Sequence, residues 1–164
     1  MVVNIRWMIR RDMPEVMAIE FASFEWWWSE SDFINCLRTR NCIGLVAEYN
    51  EKVIGYMVYE LHKRRYHVLN FAVHPEYRRK GIGKAMVADI QRKLWSDSNV
   101  ACVERRRTAI LLEVRERNLD AQLFWRQCGF RYVRTLRGFY DDTSEDAYQM
   151  AHYSVEPASM ELVG

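Results

Sequence analysis

The alternation of apolar and polar residues along the chain predicts about seven β-strands. The segments comprise residues 2–9, 43–49, 52–61, 65–75, 108–114, 130–136 and 147–155. The run "NEK" joins the second segment to the third, and so short a polar connection between two apolar runs predicts a hairpin. Segment 108–114, "TAILLEV", is almost continuously apolar, which predicts a strand buried on both faces.

Four other segments carry apolar residues at helical spacing, and each opens with a capping or glycine residue: Asp12, Ser29, Gly81 and Asn118. We expect the Asp12 side chain to cap a first helix, which has Pro14 in its first turn and ends near Ser23. Ser29 and Asp32 have the spacing of a capping box at the start of the second helix. The element order β-α-α-β-β-β-α-β-α-β-β predicts an α/β fold with a mixed, mainly antiparallel sheet of about seven strands flanked by four helices.

Length and charge exclude several classes of protein. The 164 residues are enough for one domain, which we expect over residues 1–155, followed by a flexible tail at 156–164. A net charge of +2 is too small to indicate a nucleic-acid partner or an acidic membrane surface. No apolar run reaches the length of a membrane span, and the first residues lack the core of a signal peptide. These features predict a cytoplasmic protein that is a monomer or a weak dimer.

The four cysteines do not have the spacing of a metal site. Cys36, Cys42, Cys102 and Cys128 form no C-x-x-C pair and have no histidine at ligand spacing. We therefore expect reduced, mostly buried thiols and no bound metal.

A basic run with two glycines, "RRKGIGK", follows one predicted strand and opens the third helix. A Walker A loop would need glycine at position 78 and Ser or Thr after Lys84, and Met86 stands where the dinucleotide fingerprint has its third glycine. A helix N-terminus nevertheless presents unpaired N–H groups and a partial positive charge, which suit a phosphate. The alternative is a solvated basic turn. The residues of the predicted phosphate site are Arg78, Arg79, Lys80, Gly81, Ile82, Gly83 and Lys84.

The same run, "RRKGIG", matches the [QR]-x-x-G-x-[GA] loop of the GCN5-related N-acetyltransferase (GNAT) superfamily. "LLEVRERNLDAQLFWRQCGF" resembles the next strand and helix of that family. "WSES" and "GFYDDTSEDAYQM" resemble segments of its protein N-terminal acetyltransferases, the RimI and Ard1 types. The resemblance covers nearly the whole chain and implies a GNAT fold, acetyl-CoA as cosubstrate and a protein or peptide N-terminus as acceptor.

The resemblance also implies where acetyl-CoA binds. Its pantetheine arm is expected along Phe71, Ala72 and Val73, where the N–H of Phe71 or Val73 would polarise the thioester oxygen. Its diphosphate is expected on the backbone amides of residues 79–84, and Asn118 is expected to hydrogen-bond the pantetheine arm.

Glu113 is the candidate general base. A carboxylate in an apolar strand is costly unless it has a partner or a function, and an ion pair with Arg115 or Arg134 is the alternative. The resemblance places Glu113 at the position of the proposed base in RimI-type enzymes, where it would act directly or through water. His67 matches a position where some N-terminal acetyltransferases have a tyrosine base, although a histidine in a strand is more often a plain surface or core residue.

Trp125 is the clearest departure from the family, which usually has a tyrosine there that is thought to protonate the leaving thiolate. An indole N–H donates a hydrogen bond but does not release its proton. We expect Trp125 to hydrogen-bond the sulfur, or the role of the acid to pass to Tyr140 or to water. Cys128, one turn further on, is expected to be an inert core residue.

The resemblance assigns acceptor binding to two loops, "FEWWWSE" and "RGFYDDTSED". Glu25 and Tyr140 match residues that seat the substrate in related enzymes. Trp26 or a neighbouring tryptophan is expected to form an apolar wall, and at least one of the three adjacent tryptophans is expected in the core. A small-molecule amine or a lysine side chain stays open as the acceptor, as does a CoA-binding module with little or no catalysis.

Overall fold

The structure, a computed structural model, describes residues 1–154, so the predicted tail at 156–164 lies outside the described residues. Its strands are β1 Asn4–Trp7, β2 Cys42–Tyr49, β3 Lys52–Leu61, β4 Arg65–Val73, β5 Ala109–Arg115, β6 Arg131–Leu136 and β7 Ala147–Tyr153. Its α-helices are α1 Met13–Ser23, α2 Glu30–Leu37, α3 Ile82–Ser98 and α4 Leu119–Gln127. Strands and helices follow one another in the predicted order.

All seven strands of the described residues belong to one sheet, in the order β1-β2-β3-β4-β5-β7-β6. The pairs β1/β2, β2/β3, β5/β7 and β6/β7 are antiparallel. The predicted fold class is therefore confirmed. By their internal contacts the residues divide into two compact units, one of Met1–Leu61 with His67–Asp89 and one of His62–Tyr66 with the residues from Ile90 onward.

The first unit has a core built from α1, α2 and strands β2 to β4. Its buried members are Met13, Val16, Met17, Ile19, Phe33, Cys42, Val46, Val53, Tyr56, Val58 and Ala72. In α1 the buried positions recur at intervals of three or four residues, which places them on one face of the helix. Glu20 belongs to the same buried set, although its side chain is acidic.

The start of α1 differs from the prediction, because Asp12 does not cap the helix with its side chain. A short 3₁₀ turn, Arg10–Asp12, precedes α1, and the Asp12 carboxylate accepts the backbone N–H of Ile9 at 2.8 Å. The same carboxylate accepts hydrogen bonds from both terminal nitrogens of Arg6, at 2.8 and 2.9 Å. Burial alone would raise the pKa of Asp12, but the hydrogen bonds from Arg6 and Ile9 outweigh it and hold this pKa below its usual value.

The predicted hairpin and the second helix start are confirmed. Asn50 and Glu51, with φ of 47° and 60°, form a two-residue turn between Tyr49 and Lys52. Positive φ at both central residues matches the twist of the flanking strands. The Ser29 hydroxyl accepts the N–H of Asp32, and the Asp32 carboxylate accepts the N–H of Ser29.

In the second unit, β5 corrects the prediction of a strand buried on both faces. Ile110, Leu112 and Val114 are buried, whereas the residues between them are only half-buried. The partly open face includes Glu113, which lies opposite Gln149 of β7. The strand therefore has one core face and one face that water or a ligand can reach.

Among the described residues no helix is long and apolar enough to cross a membrane. The four cysteines are free thiols, of which Cys42 is buried, Cys36 and Cys128 are half-buried and Cys102 is exposed.

Candidate active site

The loop between β4 and α3 has a backbone suited to an anion. Arg79 and Gly81 have left-handed backbones, with φ of 63° and 83°, and α3 begins at the next residue, Ile82. The N–H groups in the first turn of a helix have no partner within the helix, and they point outwards along the helix axis. A Cβ on Gly81 would meet no atom within 4 Å, so it is the positive φ that favours glycine there.

The side chain of Arg78 supports this loop. Its Nε donates to the carbonyl oxygen of Val73 at 2.9 Å, and its Nη2 donates to the Ser23 hydroxyl at 2.9 Å. The guanidinium therefore ties the loop to the end of β4 and to the end of α1. Arg79, Lys80 and Lys84 are exposed, with the Lys80 ammonium 5.3 Å from the centroid of the Tyr77 ring.

Strand β4 alternates between buried and half-buried residues. Ala72 is buried, while His67, Phe71 and Val73 share the half-buried face. The structure thus places His67 on the same strand face as the two residues whose N–H groups are candidates for the thioester oxygen.

The segment between α1 and α2 carries the predicted acceptor residues. Glu25 is exposed, and Trp26 is 49% exposed. Trp27 is also exposed and packs edge-on against Phe21, with the ring centroids 4.6 Å apart. Trp28 packs against the buried Phe33, with the ring centroids 5.1 Å apart. One of the three adjacent tryptophans therefore packs against the core, as expected.

Glu113, in the second unit, accepts a hydrogen bond from the Gln149 side chain at 3.3 Å. The oxygen of the Gln149 amide accepts Arg134 Nε at 3.1 Å, so Arg134 is linked to Glu113 through this amide. Arg115, the other arginine considered as a partner, binds Asp142 and Glu145. Gln149 therefore orients the Glu113 carboxylate on the partly open face of β5.

The charge of the same carboxylate affects Tyr140. Burial, with a contribution from the charge of Glu113, raises the pKa of Tyr140 to about 12, against the opposing effect of Arg115. The phenol is therefore protonated at neutral pH and can donate a hydrogen bond. Glu113 and Tyr140, the carboxylate and the tyrosine that were predicted as catalytic residues, thus influence each other electrostatically.

Arg115 contacts Tyr140, and the sequence analysis missed this contact. Its Cζ lies 3.8 Å from the centroid of the Tyr140 ring. Its terminal nitrogens donate to Asp142 at 2.6 Å, Thr143 at 3.2 Å and Glu145 at 3.4 Å. Arg115 thus makes several of the contacts that hold the loop between β6 and β7, and the acidic run "DDTSED" together with the arginine at the end of β5 was the available signal.

Trp125 and Asn118 have structural roles of their own. Trp125 is 5% exposed and packs against Phe130 and Phe124, with centroids 4.9 and 5.1 Å away. The Asn118 side-chain oxygen accepts the N–H of Ala121 at 3.1 Å and so caps α4 as expected. Contacts of these two residues with acetyl-CoA stay a prediction.

Comparison with known proteins gives one consistent family. Residues 5–130 match the model of the acetyltransferase (GNAT) family. An N-alpha-acetyltransferase of Saccharolobus solfataricus is 30% identical over 131 residues, which is 73% of this chain and 74% of that protein. The [ribosomal protein bS18]-alanine N-acetyltransferase of Escherichia coli K12 is 29% identical over 143 residues, 85% of this chain and 90% of that one.

The fold has a close counterpart among solved structures. The crystal structure of the ribosomal-protein-S18-alanine N-acetyltransferase from Escherichia coli superposes with a TM-score of 0.80 and 23% identity, covering 97% of this chain and 98% of that chain. The family match, the relatives and the fold agree with one another. The chain belongs to the acetyltransferase (GNAT) family.

Proposed function

We propose that this protein transfers the acetyl group of acetyl-CoA to the α-amine of a protein or peptide N-terminus. The observation that carries the proposal is Glu113, oriented by Gln149 on the half-buried face of β5 and near enough to Tyr140 to influence its pKa. The similarity to an N-alpha-acetyltransferase supports the choice of acceptor. Acetyl-CoA supplies a thioester carbonyl, at which a C–N bond forms and the C–S bond breaks.

The loop between β4 and α3 suits the diphosphate of acetyl-CoA. Its left-handed residues Arg79 and Gly81 and the first turn of α3 offer N–H groups, while the Arg78 side chain is engaged in supporting the loop. Exposed Arg79, Lys80 and Lys84 add positive charge. We assign the backbone of residues 79–84 to phosphate binding and the half-buried face of β4, with Phe71 and Val73, to the pantetheine arm.

Glu113 takes the proton that the amine loses, directly or through a water molecule. An α-amine has a pKa of about 7.7–8.0, so roughly a tenth of it is neutral at pH 7, whereas a lysine amine titrates near about 10.4. A weakly basic carboxylate is therefore sufficient for an N-terminal acceptor and poor for a lysine side chain. This argument favours the α-amine over the lysine side chain that the sequence left open.

Each of Glu25, Trp26 and Tyr140 is proposed as an acceptor contact. The exposed Glu25 carboxylate suits a cationic amine before it loses its proton, and the half-exposed Trp26 ring suits an apolar first side chain. The Tyr140 phenol can donate to a peptide carbonyl. His67, on β4, is the second candidate base.

The test is mass spectrometry of the products from three acceptor panels: peptides with free N-termini, the same peptides N-acetylated but carrying an internal lysine, and small amines. We expect products from the first panel alone. Products from the lysine or small-amine panel alone would contradict the proposal. Acetyl-CoA binding without any product would identify a CoA-binding module, the reading that Trp125 favours.

Glu113→Gln tests the catalytic assignment. We expect kcat/KM to fall at least tenfold with acetyl-CoA affinity unchanged, because the substitution removes the proton acceptor and keeps the hydrogen-bonding shape. Glu116→Gln, an exposed carboxylate just after β5, is the matched control and should have wild-type activity. Equal activity of the two variants would show that Glu113 is not the base.

A further inference from the structure

Glu20 is an acidic residue in the last turn of α1 that is 1% exposed. Acidic side chains are almost never this buried unless they are paired, because removing the charge from water is costly. Its neighbours along the buried face of α1 are apolar core residues. Its burial therefore calls for specific partners.

Three donors from three parts of the first unit converge on this carboxylate. Oε1 accepts the backbone N–H of Trp28 at 2.7 Å. Oε2 accepts the Asn70 side-chain amide of β4 at 2.9 Å and the hydroxyl of Tyr56 of β3. Burial, and then the nearby Glu20 carboxylate, raise the pKa of Tyr56, which keeps this hydroxyl protonated and donating.

The bond to Trp28 fixes one end of a segment whose three middle residues are exposed. After Trp28 the chain continues into the capping box that Ser29 and Asp32 form at the start of α2. At the other end of the segment, α1 ends at Ser23, whose hydroxyl accepts a hydrogen bond from the Arg78 side chain. Between these anchors Glu25, Trp26 and Trp27 are exposed. The backbone that carries these three side chains is therefore held at one end by the bond from the Trp28 N–H to Glu20.

A carboxylate that accepts several hydrogen bonds fixes the positions and directions of its donors. An apolar residue of similar size would fill the same space without fixing them. Hydrogen bonds to charged groups are also stronger than those between neutral groups. The second anchor of the same carboxylate, Asn70, immediately precedes Phe71 on the strand assigned to the pantetheine arm.

We propose that Glu20 is a positioning residue for the acceptor site: it holds the segment Phe24–Ser29 so that Glu25 and Trp26 meet the incoming N-terminus. This inference rests on the proposed function for the identity of the acceptor. The restraint on the Trp28 amide stands on the geometry alone.

The experiment compares wild type, Glu20→Gln and Glu15→Gln. Glu15 lies on the same helix and its carboxylate also accepts a backbone N–H, that of Val53 at 3.0 Å, but it is exposed and its bond is to β3. Hydrogen exchange of the Trp28 amide measures the restraint without any turnover. Steady-state kinetics then give KM for an N-terminal peptide and, separately, for acetyl-CoA.

Glu20→Gln leaves one uncharged acceptor oxygen for three donors, so we expect the Trp28 amide to exchange about fivefold faster and the peptide KM to rise about threefold, with KM for acetyl-CoA unchanged. Glu15→Gln should match wild type in all three. Tyr56→Phe, which keeps the ring and the Glu20–Trp28 bond, is the second variant should Glu20→Gln not fold. It should give a smaller change in the same direction, about threefold in exchange.

Unchanged Trp28 exchange in both Glu20→Gln and Tyr56→Phe would overturn the inference, as would faster exchange with an unchanged peptide KM. Failure of the proposed function has a different signature, because wild type would then acetylate no peptide. The exchange measurement would still decide whether Glu20 restrains the segment.

Discussion

Arg115→Ala should weaken acceptor binding and leave donor binding intact. The substitution removes a guanidinium that lies 3.8 Å from the Tyr140 ring centroid and donates to Thr143 at 3.2 Å. A cation–π contact of this kind contributes about 1 kcal/mol and a hydrogen bond about 1 kcal/mol. Their sum of about 2 kcal/mol is roughly a 30-fold change in the ordered fraction of the loop. The ion pair with the exposed Asp142 is left out because solvent screens it.

The assay is steady-state kinetics in two series: the N-terminal peptide is varied at saturating acetyl-CoA, and acetyl-CoA is varied at saturating peptide. We expect the peptide KM of Arg115→Ala to rise by about 10- to 30-fold, and that for acetyl-CoA to change by less than about twofold. Arg115→Lys should recover only part of the loss, because an ammonium cannot span two carboxylates as a guanidinium does.

Arg137→Ala is the matched control. Arg137 binds Asp146 of the same loop at 2.8 Å, but its own side chain is 85% exposed, against 23% for Arg115. An exposed pair of this kind contributes little, so wild-type kinetics are expected. The same peptide KM for Arg115→Ala, Arg137→Ala and wild type would refute the reasoning.

Two further predictions test the donor loop and the start of α1. Gly81→Ala forces a residue with a Cβ to keep a φ of 83°, which costs about 1–2 kcal/mol. We expect calorimetry to show acetyl-CoA binding weakened about tenfold. Gly138→Ala is the control, because its φ of 57° is also positive but it lies outside the loop between β4 and α3, and it should leave acetyl-CoA binding unchanged. Asp12→Asn should lower the melting temperature at pH 7, with the difference from wild type shrinking below about pH 4. Because the folded pKa of Asp12 is depressed, its stabilisation is complete above the unfolded value and is lost as pH falls through the folded one. A difference that stays constant from pH 7 to pH 3 would contradict this.

Features that depend on neighbouring residues in the chain were predictable. The capping box of Ser29 and Asp32, the Asn50-Glu51 turn and the Asn118 cap use contacts across at most three residues, so their residue types and spacing carry the information. The element order followed from such signals. The basic loop was predictable for the same reason, since strand, glycines and helix are contiguous.

Features that depend on distant residues were not predictable from one sequence. Asp12 has the position of a helix cap, but Arg6 folds onto it from β1 and draws the carboxylate away from the helix. The burial of Glu20 depends on Tyr56 and Asn70, which are 36 and 50 residues away in the chain, as well as on the nearby Trp28 amide. The open face of β5 had a similar cause, because the coverage of a strand depends on its partners in three dimensions and not on its own apolar content.

The structure gives a packing reason for tryptophan at position 125, where the family usually has tyrosine. The indole packs between aromatic rings in the core of the second unit, which is a structural reason for a large apolar residue there. Tyr140, with a pKa of about 12, is a poor substitute as a full proton donor. An ordinary thiol has a pKa of about 8.5, so proton transfer from Tyr140 to a thiolate would be uphill by about 3.5 pKa units, or roughly 5 kcal/mol. A hydrogen bond from the phenol to the sulfur or to a peptide carbonyl carries no such penalty, and a thiolate of this basicity departs readily near neutral pH and can be protonated by solvent. The proposed mechanism, with Glu113 as the base and Tyr140 as a hydrogen-bond donor, therefore requires no protein acid at position 125.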